Sequence, residues 1–304
     1  MKRLLMLCVP VLMVLGAIAA GCSSESGNVD SLTFTFNPPD SISYNGITIS
    51  ERSVSRGTMS IVDSSYMVSS HTFVHEGDHW RLTSVSDTLN TVRDGELQND
   101  AVTALYPGVK FTQVIDSTGT SIEMTGFEEI LRKADSALPA ATAENLRKNF
   151  KPDFLARREM NEWNAKIARF AGKTMKIGEM IYDTNSVPVP GAGSITYYRA
   201  IKLVAAPKID GKQYATFNLS AYTEPSKLAE HLQIPVEEVY KQLGMEVAPE
   251  NTSAQQVTSS LVSEWTIETA TMLLHNETTE RQVNIAVGNM EMSTKERRSK
   301  EYTF

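Results

Sequence analysis

Hydrophobic and polar residues alternate through most of this chain, with the period of two that turns one face of a β-strand toward a core. "LTFTFN" puts Leu32, Phe34 and Phe36 on one face. "SISYNGITIS" sets Ile42 and Tyr44 before, and Ile47 and Ile49 after, Asn45-Gly46, a dipeptide that predicts a hairpin turn. Runs at 58–74 and 80–92, rich in Ser, Thr, Val and aromatics, predict further strands. "VKFTQVIDSTGTSIEM" predicts a hairpin turning at 116–119.

The period then changes. In "PDFLARREMNEWNAKIARFAG", Pro152 suits a first helical turn, Met160, Trp163, Ile167 and Phe170 recur at helical spacing, and Gly172 supplies a stop. A second helix is expected over 127–137. Strands resume in "SITYYRAIKLVAA" and "KQYATFNLSAY", joined through Asp210-Gly211. Residues 228–243 predict two short helices split at Pro235, and 261–274 and 283–292 predict the last two strands. This order predicts an α+β fold: a curved antiparallel sheet with helices packed on one face, formed by a single domain over 32–304.

The beginning of the chain reads differently. Lys2 and Arg3 precede an almost uncharged run to Ala20, and the small residues Ala19-Ala20-Gly21 lead into Cys22. That is the layout of an export signal and its cleavage site. It resembles the lipobox signal of bacterial lipoproteins, with Ala19 where that family more often has Leu. The resemblance implies a signal peptide at 1–21 and a Cys22 that becomes the first mature residue and carries acyl chains. Each buried methylene adds about 0.8 kcal/mol of membrane affinity, so such chains anchor firmly. Residues 22–31, built of Ser, Gly, Asn and acids, then read as a lipidated flexible tether. Ser23 resembles the residue found after the cysteine in lipoproteins passed on to an outer membrane. Together with the element order, the whole chain is similar to envelope lipoproteins whose half-barrel sheet wraps over helices, lipoprotein and lipid carriers among them.

Composition narrows the function classes. Among 304 residues there are two cysteines, and Cys8 lies in the segment expected to be removed, so no disulfide and no cysteine nucleophile is expected. The net charge of −7 becomes −9 once Lys2 and Arg3 are gone, which argues against nucleic acid as a partner.

Three stretches carry candidate chemistry. His75-Glu76-Gly77-Asp78-His79 satisfies the H-E-x-x-H pattern of zinc peptidases, with Glu96 as a possible third ligand and Asp100 four residues on. That chemistry needs one helical face, whereas Gly77 and Asp78 are turn formers between strand-like runs. The expectation is a hairpin, with cross-strand metal binding alongside His71 as the remaining route. "KLAEHLQIPVEEVYKQLG" resembles a helix-turn-helix, with Leu228, Leu232, Val236, Val239 and Leu243 packing two helices together. Its second helix leads with Glu237 and Glu238, which repel phosphate. A helical pair lying on the sheet is the expectation. Finally, Met160, Trp163, Ile167 and Phe170 are expected to face Tyr197, Tyr214, Phe217, Trp265, Ile267, Met290 and Met292, as a filled core or as the lining of a cavity for a hydrophobic ligand.

No phosphate-binding glycine loop, nucleophile elbow or calcium loop is found, and His231 and His275 stand alone. No catalytic residue, metal site or cofactor is therefore expected. The functional expectation is a membrane-anchored envelope lipoprotein that binds a lipid or other hydrophobic ligand. The alternatives are a protein-interaction role and, as a minor one, a zinc peptidase.

Overall fold

A computed structural model describes residues 30–56, 59–98, 101–189, 193–245, 257–287 and 290–304. The expected signal peptide, Cys22, all but the last two residues of the expected tether, and Asp100 lie outside the described residues. Of those two, Ser31 already opens the first strand.

The strands are β1 (Ser31–Thr33), β2 (Ser41–Arg56), β3 (Met59–Glu76), β4 (His79–Arg93), β5 (Glu96–Gln98), β6 (Lys110–Asp116) and β7 (Ser121–Thr125). Three helices follow: α1 (Phe127–Ala137), α2 (Ala140–Asn149) and α3 (Pro152–Lys166). Next come β8 (Thr174–Lys176), β9 (Met180–Val189), β10 (Gly193–Ala205), β11 (Lys208–Ile209) and β12 (Lys212–Tyr222). The chain continues through α4 (Pro225–Leu232) and α5 (Val236–Gln242) to β13 (Val257–Glu268), β14 (Leu274–Val287) and β15 (Met290–Thr303).

One antiparallel sheet dominates, in the order β7-β6-β4-β3-β2-β15-β14-β13-β12-β10-β9, with β5 on β4 and β11 on β12. Laid flat, such a path would be about 48 Å wide, at roughly 4.8 Å per strand. Yet Ile115 of β6, Phe73 of β3, Trp265 of β13 and Leu203 of β10 belong to one buried cluster. The sheet therefore curls around that cluster. It does not close, because β7 and β9 at the two ends of the order pair with no further strand among the described residues.

The inner face is recognised by the cluster it carries. At its centre Phe34, Phe170, Phe217 and Trp265 form a continuous run of ring contacts, with Phe170–Phe217 centroids 4.4 Å apart and Phe217–Trp265 5.3 Å apart. All four are at most 1% exposed. β1 pairs with β8 across this space, so the expected Leu32, Phe34, Phe36 face is buried although the regular strand ends at Thr33.

The two helical groups lie on opposite faces, which corrects the expectation of helices on one side. Register decides the point. On β10, Ile201 and Leu203 join the inner cluster, while Ala200, the residue before Ile201 and so on the opposite face, joins a second cluster with Leu228 and Ala229 of α4 and Val239 of α5. Tyr182, Tyr198 and Tyr222 extend that outer patch. β9, β10 and β12 are thus apolar on both faces and are covered on both. α1 has a buried stripe of Phe127, Ile130 and Ala134, which packs with Leu105 and Val109 near β6 and β7.

Two other expectations change. Asn45-Gly46 makes no turn, because β2 runs unbroken from Ser41 to Arg56. The glycine is needed for space: a Cβ there would lie 2.8 Å from His71 Nε2 and 3.0 Å from Tyr302. At the other end of the chain, the runs 261–274 and 283–292 are not strands in themselves. The first crosses the turn between β13 and β14, and the second spans the β14–β15 connection.

Candidate functional site

The H-E-x-x-H stretch forms a hairpin. His75 and Glu76 end β3, His79 starts β4, and Gly77, with φ +68°, provides the turn. His75 stacks on Trp80 with centroids 4.5 Å apart, and its Nδ1 lies 3.5 Å from Asp40. His79 bonds to Asp78, and Glu76 pairs with Arg81 at 2.7 Å. Glu96 pairs with the opposite end of β4, at Arg93. At about 3.4 Å per residue, roughly 48 Å of strand separates it from His79. No group of three or more His, Cys, Asp or Glu among the described residues is arranged to hold a metal ion. His71 is engaged elsewhere.

The helix-turn-helix stretch forms α4 and α5, joined through Gln233 at φ +56°. Leu228 and Val239 are fully buried against the outer face of the sheet, with Leu232, Val236 and Leu243 packed beside them. His231 contacts the Tyr222 ring, and His275 contacts Tyr214.

The apolar set is brought together only in part. Trp163, Ile167, Phe170, Phe217, Trp265 and Ile267 share the inner cluster. Tyr214 points to the outer face, because its neighbour Ala215 is the inward residue. Met292 lies at the far end of β15, opposite Arg56, and the side chain of Met290 is outside the described residues. Trp163 packs against this cluster, whose centre is filled by stacked rings.

α3 and the turn after it reach across the curled sheet. Trp163 Nε1 donates to Gly119 O at 2.9 Å, and Asn164 takes both backbone groups of Ser121 on β7, at 2.7 and 3.2 Å. On the opposite side Arg169 and Arg199 both bond to Asp183 of β9. Between them, Glu162 meets Lys166, Arg298 and Lys300, and Lys166 pairs with Glu277. Burial raises the Glu277 carboxyl, but the Lys300 and Lys166 ammoniums outweigh it and hold the group below the usual range. Glu162 is depressed in the same way.

Beside this group, His71 sits between Ser69 Oγ on Nε2 and Ser84 Oγ on Nδ1, both at 2.8 Å, and stacks on Tyr44. Desolvation, aided by Lys300 and opposed by Asp87, lowers its pKa to about 4.

Further along the same face the chemistry becomes open and polar. A trough of about 680 Å³ is lined by Ser50, Arg52, Asp63, Ser65, Thr91, Arg93, Gln98 and Glu296. The register explains this composition. Arg93, Asp63, Arg52, Glu296 and Arg281 are directly opposed on β4, β3, β2, β15 and β14, forming one row of alternating sign across five strands. Arg93 Nε donates to Asp63 at 2.7 Å. Nothing in the sequence reading identified this row. Its trace was the alternation in "MEMSTKERRSKEYT", where Glu296, Arg298, Lys300 and Tyr302 share one face.

Comparison with protein-family models and with curated proteins gives no match. Among solved structures, the chain is aligned with the translocator domain of the autotransporter NalP from Neisseria meningitidis at 6% identity, covering 88% of this chain and 90% of that one, with a TM-score of 0.19. It is also aligned with OccK2 (OpdF) of Pseudomonas aeruginosa at 9% identity, covering 81% of this chain and 62% of that one, with a TM-score of 0.16. No described helix is long and apolar enough to cross a membrane.

Proposed function

We propose that this protein is a lipid-anchored component of a bacterial envelope that acts by binding rather than by catalysis. In this reading Cys22 carries the anchor, and the inner face of the sheet beyond α3 receives another envelope component. The observation behind the binding surface is the division of that face. Its α3 end is filled by Phe34, Phe170, Phe217 and Trp265, and its other end is the open polar trough of about 680 Å³. Filled space at the α3 end leaves the trough open for a partner. The anchor rests on Ala19-Ala20-Gly21-Cys22 alone, and Ser23 favours an outer membrane facing the periplasm where the organism has two membranes.

A photoreactive residue at Ser65, in the trough, is expected to trap one consistent adduct in intact cells. The same residue at Ser53, whose β2 side chain points to the outer face, traps none. Equal adducts at both positions, or none at Ser65, would overturn the binding surface. For the anchor, Cys22→Ser moves the protein from the membrane to the soluble fraction; continued sedimentation with membranes would refute it.

The second reading, a hydrophobic ligand, is favoured by the rim beyond the trough, where Met59 and Ile61 are 68% and 39% exposed and oppose Arg56 and Val54. Lipid in organic extracts of natively purified protein supports it, and clean extracts count against it.

A further inference from the structure

The row of opposed charges across the trough is not internally balanced. Arg93 and Asp63 satisfy one another at 2.7 Å. That leaves Arg52 and Arg281 with Glu296 between them, on the three neighbouring strands β2, β15 and β14. Neither the Arg52 nor the Arg281 guanidinium has a hydrogen-bond or ion-pair partner among the described residues, and both side chains line the recess around Thr294 and Glu296. Two strand spacings put their Cα atoms about 10 Å apart. Each is a planar fork with five donors and no acceptor, shaped to take an acid group with two parallel hydrogen bonds.

The surroundings narrow the ligand. Ser50 and Ser65 carry hydroxyls, which donate and accept, and the Gln98 amide, whose nitrogen also donates to Glu96 O at 3.0 Å, keeps its oxygen as an acceptor. Such a lining suits a molecule covered in hydroxyls. An acyl chain requires an apolar enclosure, and the trough is open and polar. An acidic peptide would bring backbone donors and acceptors in ladder spacing, which an unpaired strand edge satisfies and a sheet face does not. The Glu296 carboxylate between the arginines repels an unbroken polyanion and favours acid groups that are spaced apart.

We infer that the trough is a binding site for an acidic oligosaccharide, in which Arg52 and Arg281 grip two separated acid groups and Ser50, Ser65 and Gln98 bond to the intervening hydroxyls. This deepens the binding reading above and rests on it for the use of the inner face.

The test is calorimetric titration of the full chain in detergent micelles with three probes: a hyaluronan hexasaccharide, the neutral hexasaccharide of N-acetylglucosamine, and hexaglutamate. The acidic sugar is expected to bind, with an affinity that falls as salt rises, and the other two at least tenfold more weakly. Arg52→Gln with Arg281→Gln lowers the affinity for the acidic sugar at least tenfold; both side chains are exposed, so the fold is retained, as circular dichroism will check. Glu296→Gln strengthens binding several-fold, a gain that structural damage would not produce. The inference is overturned if the neutral sugar or the peptide binds as well as the acidic sugar, if none binds, or if affinity ignores the arginines. Failure here with a specific Ser65 adduct in cells leaves the binding surface standing; loss of the Ser65 adduct removes the surface itself.

Discussion

Lys166, the last residue of α3, is ion-paired with Glu277 of β14, a carboxylate whose side chain is 2% exposed. The pair fastens the helix to the middle of the curled sheet, where Glu162, Arg298 and Lys300 complete a five-charge group. Breaking a buried pair from one side leaves the other charge in a poor solvent and costs about 3 kcal/mol. Lys166→Met should lower unfolding stability by that order in a urea titration. Lys166→Met with Glu277→Leu should recover part of the loss, because it removes the buried carboxylate that in the single variant keeps only the ion pair with Lys300, at 3.5 Å. A double variant as unstable as the single one would contradict this account.

His71 makes stability depend on pH in a defined window. Its folded pKa of about 4 lies below the ordinary value of 6.5, so the unfolded chain binds this proton first. The contribution is complete above pH 6.5 and is lost as pH falls toward 4, amounting to something on the order of 3 kcal/mol. Urea titrations across that range should show the slope, and His71→Asn should flatten it while keeping polar contact with Ser69. Below it, the depressed carboxyls of Glu162, Glu277 and Asp183 act with the same sign: they stabilise the fold above the usual carboxylate range and cease to do so as acid protonates them.

Gly46 is a test of close packing within a strand. Adding a methyl group would bring it to 2.8 Å from His71 Nε2 and 3.0 Å from both Ser69 Oγ and Tyr302. Gly46→Ala should therefore cost about 2 kcal/mol, the usual price of overfilling a packed site. If thermal unfolding shows Gly46→Ala at or above the parent stability, the crowding around His71 is wrong.

Asn164 holds an edge of the sheet. Its side chain accepts from Ser121 N at 2.7 Å and donates to Ser121 O at 3.2 Å, where β7 has no further strand beside it among the described residues. Asn164→Ala should leave two buried backbone groups unpaired and cost about 2 kcal/mol. Amide hydrogen exchange is the sharper measurement. It should accelerate in β7 and at the α3 end, while β13 and β14 keep their protection.

Much of the local structure was legible because it is encoded locally. The period-two runs marked β3, β4, β6, β10 and β12. Phe127 and Ala137 bound α1 as expected, and Gly77, Gly119 and Gly211 adopt positive φ at the turns that their types predict. The illegible parts depend on distant neighbours. Asn45-Gly46 carries a turn signal that long-range pairing with β3 and β15 overrides. β15 is so charged that no apolar alternation marks it; its inward Arg298 and Lys300 are compensated by Glu162 of α3 and Glu277 of β14. The same holds for the trough, whose five charges come from five strands.

The sequence by itself carried most of the long strands, α1, α3 and the α4–α5 pair, and the burial of alternating faces, since each depends on residues within a few positions of one another. Only the tertiary structure decided that helices cover both faces, that Phe34, Phe170, Phe217 and Trp265 pack ring on ring, and that opposed charges line an open trough. Those features follow from strand order and register, and a register is set by contacts between residues far apart along the chain, as where Asn45 meets Thr303.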